Sequence, residues 1–254
     1  MIWSDPADSD KHYWHRYSWF YQRHFETLGS VSSILEYGVF KGDSIRWLRR
    51  VFPAADIVGV DILPQQPRWP TGPGISYVRA DQGDRHGVAN VLRTVTGDID
   101  LVIEDGSHLP RHQAICLAET FPRVRPGGLY VLEDLHTSHP RHGYYRESCA
   151  PGTADSLHLL LWIEHLRATD KPMRPEQADQ LAAPGLFTAA DVRELEAMIG
   201  SVEIYHRAAL PLRCYACGGD DFDLVALACR CGVGLDFMDC DSIAAVLRKA
   251  SAAS

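Results

Sequence analysis

At 254 residues, with 46% hydrophobic and 23% charged side chains, the chain can bury a full core and fold as one globular domain with additions. Its formal net charge of −8 argues against nucleic acid as a partner, because binding phosphate requires a basic face. No apolar run approaches the roughly 20 residues that span a bilayer, so we expect no membrane partner. The acidic N-terminus lacks the apolar segment of a signal peptide, which predicts a cytoplasmic location.

The first predicted element is an N-terminal helical segment over residues 1–30. Within it, aromatic residues recur every four positions, which places their rings on one face of a helix. We expect this helix to pack that face on the domain, a role that is compatible with bordering a substrate cleft. The four residues are Tyr13, Tyr17, Tyr21 and Phe25.

From residue 33 onward, short apolar strands alternate with helices. This alternation is typical of βαβ units and predicts an α/β fold with a Rossmann-like, doubly wound, mostly parallel sheet. The predicted strands cover residues 34–37, 57–60, 75–79, 101–103, 129–132 and 202–206. The predicted helices cover residues 44–51, 88–95, 111–121, 157–167 and 189–198. We assign residues 31–212 to this domain and residues 213–254 to a small cysteine-containing C-terminal extension.

Glycine and acid mark the end of the first predicted strand. Gly38 and Gly42 allow the backbone to turn sharply and approach a ligand closely. Their spacing is not G-x-G-x-x-G, so a dinucleotide fits poorly, and Glu36 suits a cationic ligand better than a phosphate. Asp61 ends the second strand, where a carboxylate can bind both hydroxyls of a ribose. The alternative is that these acids only cap strands and turns.

This ordered set of residues resembles the class I S-adenosylmethionine-dependent methyltransferases over roughly residues 33–136. The resemblance implies S-adenosylmethionine as the cofactor, with Asp61 on its ribose and Glu36 near its methionine part. It also implies that Asp81 and Gln82 lie near the adenine. The residues assigned to the cofactor in this way are Glu36, Tyr37, Gly38, Gly42, Ser44, Asp61, Ile62, Asp81, Gln82 and Glu104.

Two further apolar strands each end in a cluster of acid and histidine, within residues 101–108 and 129–136. The carboxyl ends of neighbouring parallel strands open onto one crevice, so four carboxylates and two imidazoles are expected to converge there. Carboxylates that crowd together raise one another's pKa. A hard cation such as Mg²⁺ takes oxygen ligands and relieves this repulsion, so the two clusters predict a metal site with a histidine base.

Three segments narrow the resemblance to the metal-dependent sugar O-methyltransferases of macrolide and rhamnosylated polyketide antibiotic pathways. They are residues 21–25, 105–108 and 127–138. The resemblance implies Asp105, Glu133 and Asp134 as Mg²⁺ ligands. It makes His136 the leading general base, with His108 as the alternative base or as a residue that orients a ligand carboxylate.

The implied reaction transfers a methyl group from S-adenosylmethionine to a hydroxyl of a small glycosylated acceptor. A divalent cation makes a sugar hydroxyl more acidic, and a nearby histidine can accept its proton. Residues 139–145 depart from the family pattern, so a phenol, catechol or cephem-like acceptor stays open. A catalytically inactive cofactor-binding interaction module is the alternative from a different class. The resemblance also implies that homo-oligomers can form.

Five of the seven cysteines lie after residue 213, and we do not expect a disulfide framework in a cytoplasmic protein. Four of them form two close pairs with eleven residues between the pairs. They are Cys214, Cys217, Cys229 and Cys231. Thiolates in two close pairs suit a tetrahedral zinc ion, for which Cys240 could replace one ligand. The alternative is free cysteines in a β-hairpin, since residues 224–228 are predicted as a strand.

Overall fold

The computed structural model of the chain describes residues 9–183, 185–223, 225–235 and 242–251. Its strands are β1 (Ser33–Tyr37), β2 (Asp56–Asp61), β3 (Ile75–Arg79), β4 (Ile99–Glu104), β5 (Val124–Leu132), β6 (Ile199–His206), β7 (Phe222–Asp223), β8 (Ala228–Cys229) and β9 (Ile243–Lys249). Its α-helices are α1 (Asp10–Tyr13), α2 (Ser18–Phe25), α3 (Asp43–Val51), α4 (Arg85–Thr94), α5 (Pro110–Thr120), α6 (Gly143–Ser148), α7 (Ser156–Ala168), α8 (Pro175–Ala182) and α9 (Ala189–Met198).

A seven-stranded sheet organises the molecule, in the order β3-β2-β1-β4-β5-β9-β6. The first five strands pair in parallel, and β9 is antiparallel to both β5 and β6. The predicted mostly parallel α/β sheet is therefore confirmed. The strand order reverses between β1 and β4, so the loops that follow these two strands run to opposite sides of the sheet. This leaves a crevice at the carboxyl ends of the strands.

Helices cover both faces of the sheet. Along β1, Ile34 belongs to one apolar cluster while Leu35 and Tyr37 belong to the other, because side chains alternate across a strand. Helices α2 and α3 pack on the first of these faces, and α4, α5, α7 and α9 pack on the second. Burial on both faces explains why the central strands are largely apolar, with carboxylates such as Asp61 and Glu104 at their carboxyl ends.

The N-terminal aromatic segment departs from the predicted single helix. It forms two short helices, α1 and α2, separated by a turn in which Arg16 has a left-handed φ of 60°. The predicted packing face is present in the second helix, where Tyr17, Tyr21 and Phe25 are buried in the core. The turn lets α1 lie across the carboxyl ends of the strands instead of continuing along the sheet.

All six strands predicted within residues 31–212 are present, but β9 was not predicted. Its sequence, residues 243–249, contains two alanines and lacks an alternating polar pattern, because the strand is largely buried between β5 and β6. The cysteine-bearing segment is consequently an insertion between two sheet strands, and the predicted boundary at residue 213 falls between β6 and its neighbour β9.

The strand predicted over residues 224–228 is wrong in its position. Residues 225–227 form a turn, and the two-stranded hairpin consists of β7 and β8 on either side of it. Residue 224 and Cys240 lie outside the described residues. Among the residues that are described, no helix is long and apolar enough to cross a membrane.

Candidate active site

Two clefts open side by side at the carboxyl ends of the strands. The first has a volume of about 490 Å³, and we call it the glycine cleft; its lining includes Lys11, Gly38, Ser44, Asp61, Ile62, Asp105, His108, Glu133 and Asp134. The second has a volume of about 570 Å³, and we call it the histidine cleft. It is lined by Asp10, Trp14, His15, His108, Asp134, His136, His142, Tyr215, Val233 and Gly234. Asp10, His15, His108 and Asp134 therefore border both spaces.

Two glycines shape the floor of the glycine cleft. Gly38, directly after β1, has a φ of 87°, and a Cβ there would lie only 1.9 Å from the backbone oxygen of Asp105. Gly42 begins α3 with a φ of 78°, and its Cβ would lie 2.6 Å from Pro70. Both positions thus need glycine for conformation and for close approach, as the sequence pattern predicted.

The carboxylate of Asp61, at the end of β2, holds the turn after β1 through hydrogen bonds. It accepts hydrogen bonds from the backbone N–H groups of Val39 (3.0 Å), Phe40 (3.3 Å) and Leu63 (2.9 Å). The turn-capping role considered as an alternative for Asp61 is thus present in the structure. Asp61 also lines the glycine cleft and a side pocket of about 190 Å³, so its carboxylate is available at the cleft surface as well.

Glu36 is completely buried and lines none of the three spaces. The hydroxyl of Ser44, a residue that does line the glycine cleft, interacts with the Glu36 carboxylate. Burial raises the pKa of Glu36 to about 7, although the nearby ammonium group of Lys11 opposes this shift. A buried carboxylate of this kind suits a cationic ligand group, because an opposite charge favours its ionised form.

The side pocket extends the glycine cleft past the end of β3. Asp81 and Gln82 both line it. Gln82 donates from Nε2 to the Glu104 carboxylate (2.7 Å) and accepts at Oε1 from the backbone N–H of Ser107 (3.0 Å). Burial raises the pKa of Glu104 to about 7, and its side chain lines none of the three spaces. Glu104 therefore positions Gln82.

Tyr37 was also predicted to contact the cofactor, but its side chain points into the core and not into a cleft. Its side chain is fully buried in the core, where its hydroxyl lies 2.8 Å from that of Thr120. Only the backbone of Tyr37 can border the cleft.

An acid-histidine cluster joins the two clefts. One ligand atom from each of Asp105, His108 and Asp134 lies within 4.8 Å of the other two. His108 and Asp134 both have left-handed backbone conformations, with φ values of 57° and 51°. Strained non-glycine residues of this kind concentrate at functional sites, where the surrounding structure holds them.

Imidazoles surround the carboxylate of Asp134. The Nδ1 atoms of His15 and His108 lie 3.6 Å from its oxygens, and Nδ1 of His136 lies 3.9 Å away. Burial alone would raise the pKa of Asp134, but the three imidazoles outweigh it and hold that pKa well below the usual range. Asp134 is therefore ionised and electrostatically paired with histidines.

Lys11 is a site residue that the sequence analysis did not identify. It comes from α1, only 1% of its surface is exposed, and its Nζ pairs with the carboxylates of Asp105 and Glu133. The hydroxyl of Tyr21 also donates to Glu133. Burial lowers the pKa of Lys11, but the two carboxylates raise it well above its ordinary value, so the ammonium form is present. A single lysine in an aromatic segment gives no sequence signal of such a role.

The two candidate bases differ in position. His108 borders both clefts, and its Nδ1 has no hydrogen-bond partner. Burial lowers the pKa of His108, but Asp134 and Asp105 outweigh it and raise that pKa. His136 borders only the histidine cleft, where its ring contacts that of His142 edge-to-face at 5.5 Å.

The donor set partly fits the Mg²⁺ site that the resemblance implies. Asp105 and Asp134 supply carboxylate oxygens close together, which suits a hard cation. The carboxylate of Glu133 instead faces Lys11 and Tyr21. Glu133 can join the other two acids on a metal ion only if the Lys11 ammonium moves away from it.

The four predicted zinc ligands come together in the insertion. The Sγ atoms of Cys214, Cys217, Cys229 and Cys231 all lie within 4.8 Å of one another. Two of the separations are 3.7 Å, between Cys214 and Cys231, and 3.6 Å, between Cys217 and Cys229. A tetrahedral zinc ion with Zn–S bonds of about 2.3 Å separates its sulfurs by about 3.8 Å, so the cluster has the size of such a site.

Comparison with known proteins agrees with this geometry. Residues 35–135 match a family model described as a methyltransferase domain. Together with the sheet and the glycine turn, this match supports a methyltransferase domain over these residues.

Among its relatives are enzymes of antibiotic pathways. The chain is 32% identical over 179 residues to 8-demethyl-8-alpha-L-rhamnosyl tetracenomycin-C 2'-O-methyltransferase of Streptomyces olivaceus, covering 66% of this chain and 47% of the relative. It is 36% identical over 132 residues to mycinamicin VI 2''-O-methyltransferase of Micromonospora griseorubida, covering 48% of this chain and 32% of the relative. The chain thus spans at most about half the length of these two curated relatives.

A solved structure shares the fold across almost the whole chain. It is the MycE methyltransferase of the mycinamycin biosynthetic pathway, with a TM-score of 0.62 and 22% sequence identity. The likeness covers 98% of this chain and 55% of MycE, whose structure contains Mg and SAH.

Proposed function

We propose that the protein is an O-methyltransferase that transfers a methyl group from S-adenosylmethionine to a sugar hydroxyl of a small glycosylated acceptor, in natural-product biosynthesis. The observation that carries the proposal is the junction of two clefts at His108 and Asp134. One cleft has the features of a cofactor site and the other has room for an acceptor. The named sugar O-methyltransferases among the relatives support the same activity.

The glycine cleft is the proposed cofactor site. When bound there, S-adenosylmethionine supplies the methyl group as a sulfonium. Asp61, which lines the cleft, would accept hydrogen bonds from a ribose. The buried Glu36 lies behind the cleft-lining Ser44, and its negative charge would favour the positively charged methionine end. Ser44 lines the same cleft, while Asp81 and Gln82 border the side pocket proposed for adenine.

The acid-histidine cluster is the proposed reaction centre. When bound there, a divalent cation such as Mg²⁺ lowers the pKa of a coordinated hydroxyl and orients its oxygen. Asp105 and Asp134 would hold the ion, with Glu133 as a third ligand after Lys11 is displaced. Until then the Lys11 ammonium neutralises Asp105 and Glu133.

His108 is the proposed general base in place of the initially favoured His136. A base must reach a hydroxyl that also faces the methyl donor, and of the two predicted bases only His108 borders both clefts. His15 borders both clefts as well, but its Nδ1 lies 2.8 Å from the Ser242 hydroxyl, whereas Nδ1 of His108 has no hydrogen-bond partner among the described residues. The Asp134 carboxylate lies 3.6 Å from Nδ1 of His108 and would stabilise the imidazolium electrostatically. His136 and His142 then line the part of the histidine cleft that would bind the acceptor.

The test is methyl transfer from radiolabelled S-adenosylmethionine to a panel of methyl and aryl glycosides, with catechol and phenol as competing acceptor classes. We expect product from a glycoside that carries a free vicinal diol. Product from catechol or phenol alone would replace the sugar acceptor with a phenolic one. No product from any probe, despite measured SAH binding, would favour a cofactor-binding module without activity.

The cysteine cluster is proposed to hold a structural zinc ion. Two of its members, Cys214 and Cys229, are buried, and each pair lies on a tight turn that a positive-φ glycine completes. Elemental analysis of the full chain should find one zinc per molecule. Replacing Cys217 and Cys231 with serine should remove it, while Cys149→Ser, which alters a cysteine outside the cluster, should not.

A further inference from the structure

The histidine cleft has a second wall that does not belong to the methyltransferase sheet. Tyr215, Val233 and Gly234 line this wall, and all three lie within or beside the two cysteine turns. The same cleft is lined by two members of the acid-histidine cluster, His108 and Asp134, and by His136 and His142. The insertion between β6 and β9 thus faces the proposed reaction centre across the cleft.

Specific contacts fix this wall to helix α1. The ring of Tyr215 packs edge-to-face on Trp14, with ring centroids 4.8 Å apart. Just before the first cysteine turn, the backbone N–H of Leu212 donates to the Tyr13 carbonyl (2.6 Å), and Arg213 stacks over the Tyr13 ring at 4.1 Å. Helix α1 also carries Lys11, so the wall and the acid cluster are attached to the same short helix.

The chemistry of the wall differs from that of the reaction centre. Tyr215 is 57% exposed although it is a large aromatic residue, and Trp14, which is buried, lines the cleft beside it. Clefts that bind small molecules are lined mainly by apolar and aromatic side chains with a few polar groups, and this cleft combines Tyr215, Trp14 and Val233 with histidines and acids. At about 570 Å³ the space also lies within the range of clefts that hold drug-sized ligands, so it has room for more than one sugar.

We propose that the cysteine turns, held together by zinc, form the wall that binds the aglycone of the acceptor, with Tyr215 as a specificity-determining residue. This inference rests on the proposed function, because it assigns the sugar to the His108 side of the cleft. The Tyr215 ring then binds the flat, apolar part of the acceptor that is not methylated, and the buried Trp14 ring supports Tyr215 from its side. The zinc ion has no part in the chemical step and keeps Tyr215 in position.

The test compares two glycosides of the same sugar, methyl α-L-rhamnopyranoside and 2-naphthyl α-L-rhamnopyranoside, binding to the SAH-loaded protein by calorimetry. The wild-type protein should bind the naphthyl glycoside more tightly. Tyr215→Ala should reduce this preference roughly fivefold, since it removes an aromatic contact, and Tyr215→Phe should retain it. SAH affinity and zinc content should stay unchanged in both variants.

Two further variants distinguish a specific role of the zinc-binding turns from a general loss of folding or binding. The Cys217→Ser/Cys231→Ser double variant should lose zinc and the same naphthyl preference while keeping SAH affinity. Trp19→Ala, which removes an equally exposed aromatic ring (55%) away from the cleft, should retain the preference.

An unchanged preference in both Tyr215→Ala and the double-serine variant would overturn the inference, as would wild-type protein that binds neither glycoside. Binding with the expected preference but without methyl transfer would contradict the proposed function and leave the wall assignment standing.

Discussion

Most of the glycine cleft comes from the loops that follow the neighbouring strands β1, β2 and β4, whereas the histidine cleft combines side chains from residue 10 to residue 234. The first space is shaped by backbone: two positive-φ glycines and the Asp61 carboxylate that holds their turn. The second is shaped by side chains from α1, two strand ends and the cysteine insertion. The glycine cleft thus lies at the edge of the sheet, whereas the histidine cleft also requires the cysteine insertion.

The largest expected effect separates the two histidines at the junction. His108→Ala should lower the rate of methyl transfer by about 100- to 10,000-fold, the usual contribution of a general base. His136→Ala should lower it much less, since His136 borders only the acceptor side. Initial rates at saturating S-adenosylmethionine measure both. A greater loss in His136→Ala would return the base role to His136.

The charge balance of the junction gives the next largest effect. Lys11→Met should lower the free energy of unfolding by about 3–5 kcal/mol, because it leaves the buried Asp105 and Glu133 carboxylates without their cation. Added Mg²⁺ should restore part of this loss. Chemical denaturation measures the change, with the exposed Lys171→Met as the matched control. Equal stability of the two variants would show that Lys11 is not needed to neutralise the acids.

A smaller effect tests the backbone that shapes the glycine cleft. Gly97→Ala has open space for its Cβ and should cost only the left-handed strain of about 1–2 kcal/mol. Gly38→Ala should cost more, because its Cβ meets the Asp105 backbone, and it should also weaken SAH binding. Denaturation and calorimetry on both variants measure this. Similar stability losses with intact SAH affinity would mean that close approach at Gly38 does not matter.

The smallest expected effect lies at the opposite end of the sheet. Asp100 accepts hydrogen bonds from Ser32 (2.8 Å from its backbone N) and Ser33 (3.0 Å), and also pairs with Arg125. Burial raises the pKa of Asp100, but these bonds outweigh it and hold that pKa below its ordinary value. Because the folded-state pKa is the lower one, the stabilisation is complete above the ordinary aspartate pKa. It is lost as pH falls through the folded-state pKa.

Asp100→Asn should therefore cost roughly 1–2 kcal/mol near neutral pH, and the difference from wild type should shrink below about pH 4. Thermal unfolding at several pH values measures it, with the exposed Asp98→Asn as the control. Methyl transfer should be unaffected. A stability difference that persists undiminished to pH 2 would contradict the assignment.

The same contrast explains what the sequence could predict. Gly38, Gly42 and Asp61 act through local turns beside regular strands, so pattern and spacing were sufficient to find them. Lys11 pairs with Asp105, which lies 94 residues further along the chain, and Tyr215 in the insertion packs on Trp14 near the N-terminus. A local sequence pattern cannot predict contacts between residues that lie so far apart in the chain. β9 was missed for a related reason, because a strand buried between two others loses the polar alternation that marks a strand.

The cysteine pairs were predictable from the sequence only in part. Their spacing predicted that the four thiols would come together, and the structure brings them within 4.8 Å. The spacing did not indicate which part of the molecule the cluster would face. That position depends on the Trp14–Tyr215 contact and on the insertion of the segment between β6 and β9.

The most direct test of the central claim is the rate of SAH formation with an accepted glycoside, measured before EDTA treatment, after it, and after Mg²⁺ is restored, alongside SAH affinity. If the acid-histidine cluster uses a divalent cation at the junction of the two clefts, EDTA should reduce the rate to background. Mg²⁺ should then restore it, and SAH affinity should not change throughout. Turnover that persists in EDTA would contradict metal-assisted transfer at Asp105 and Asp134.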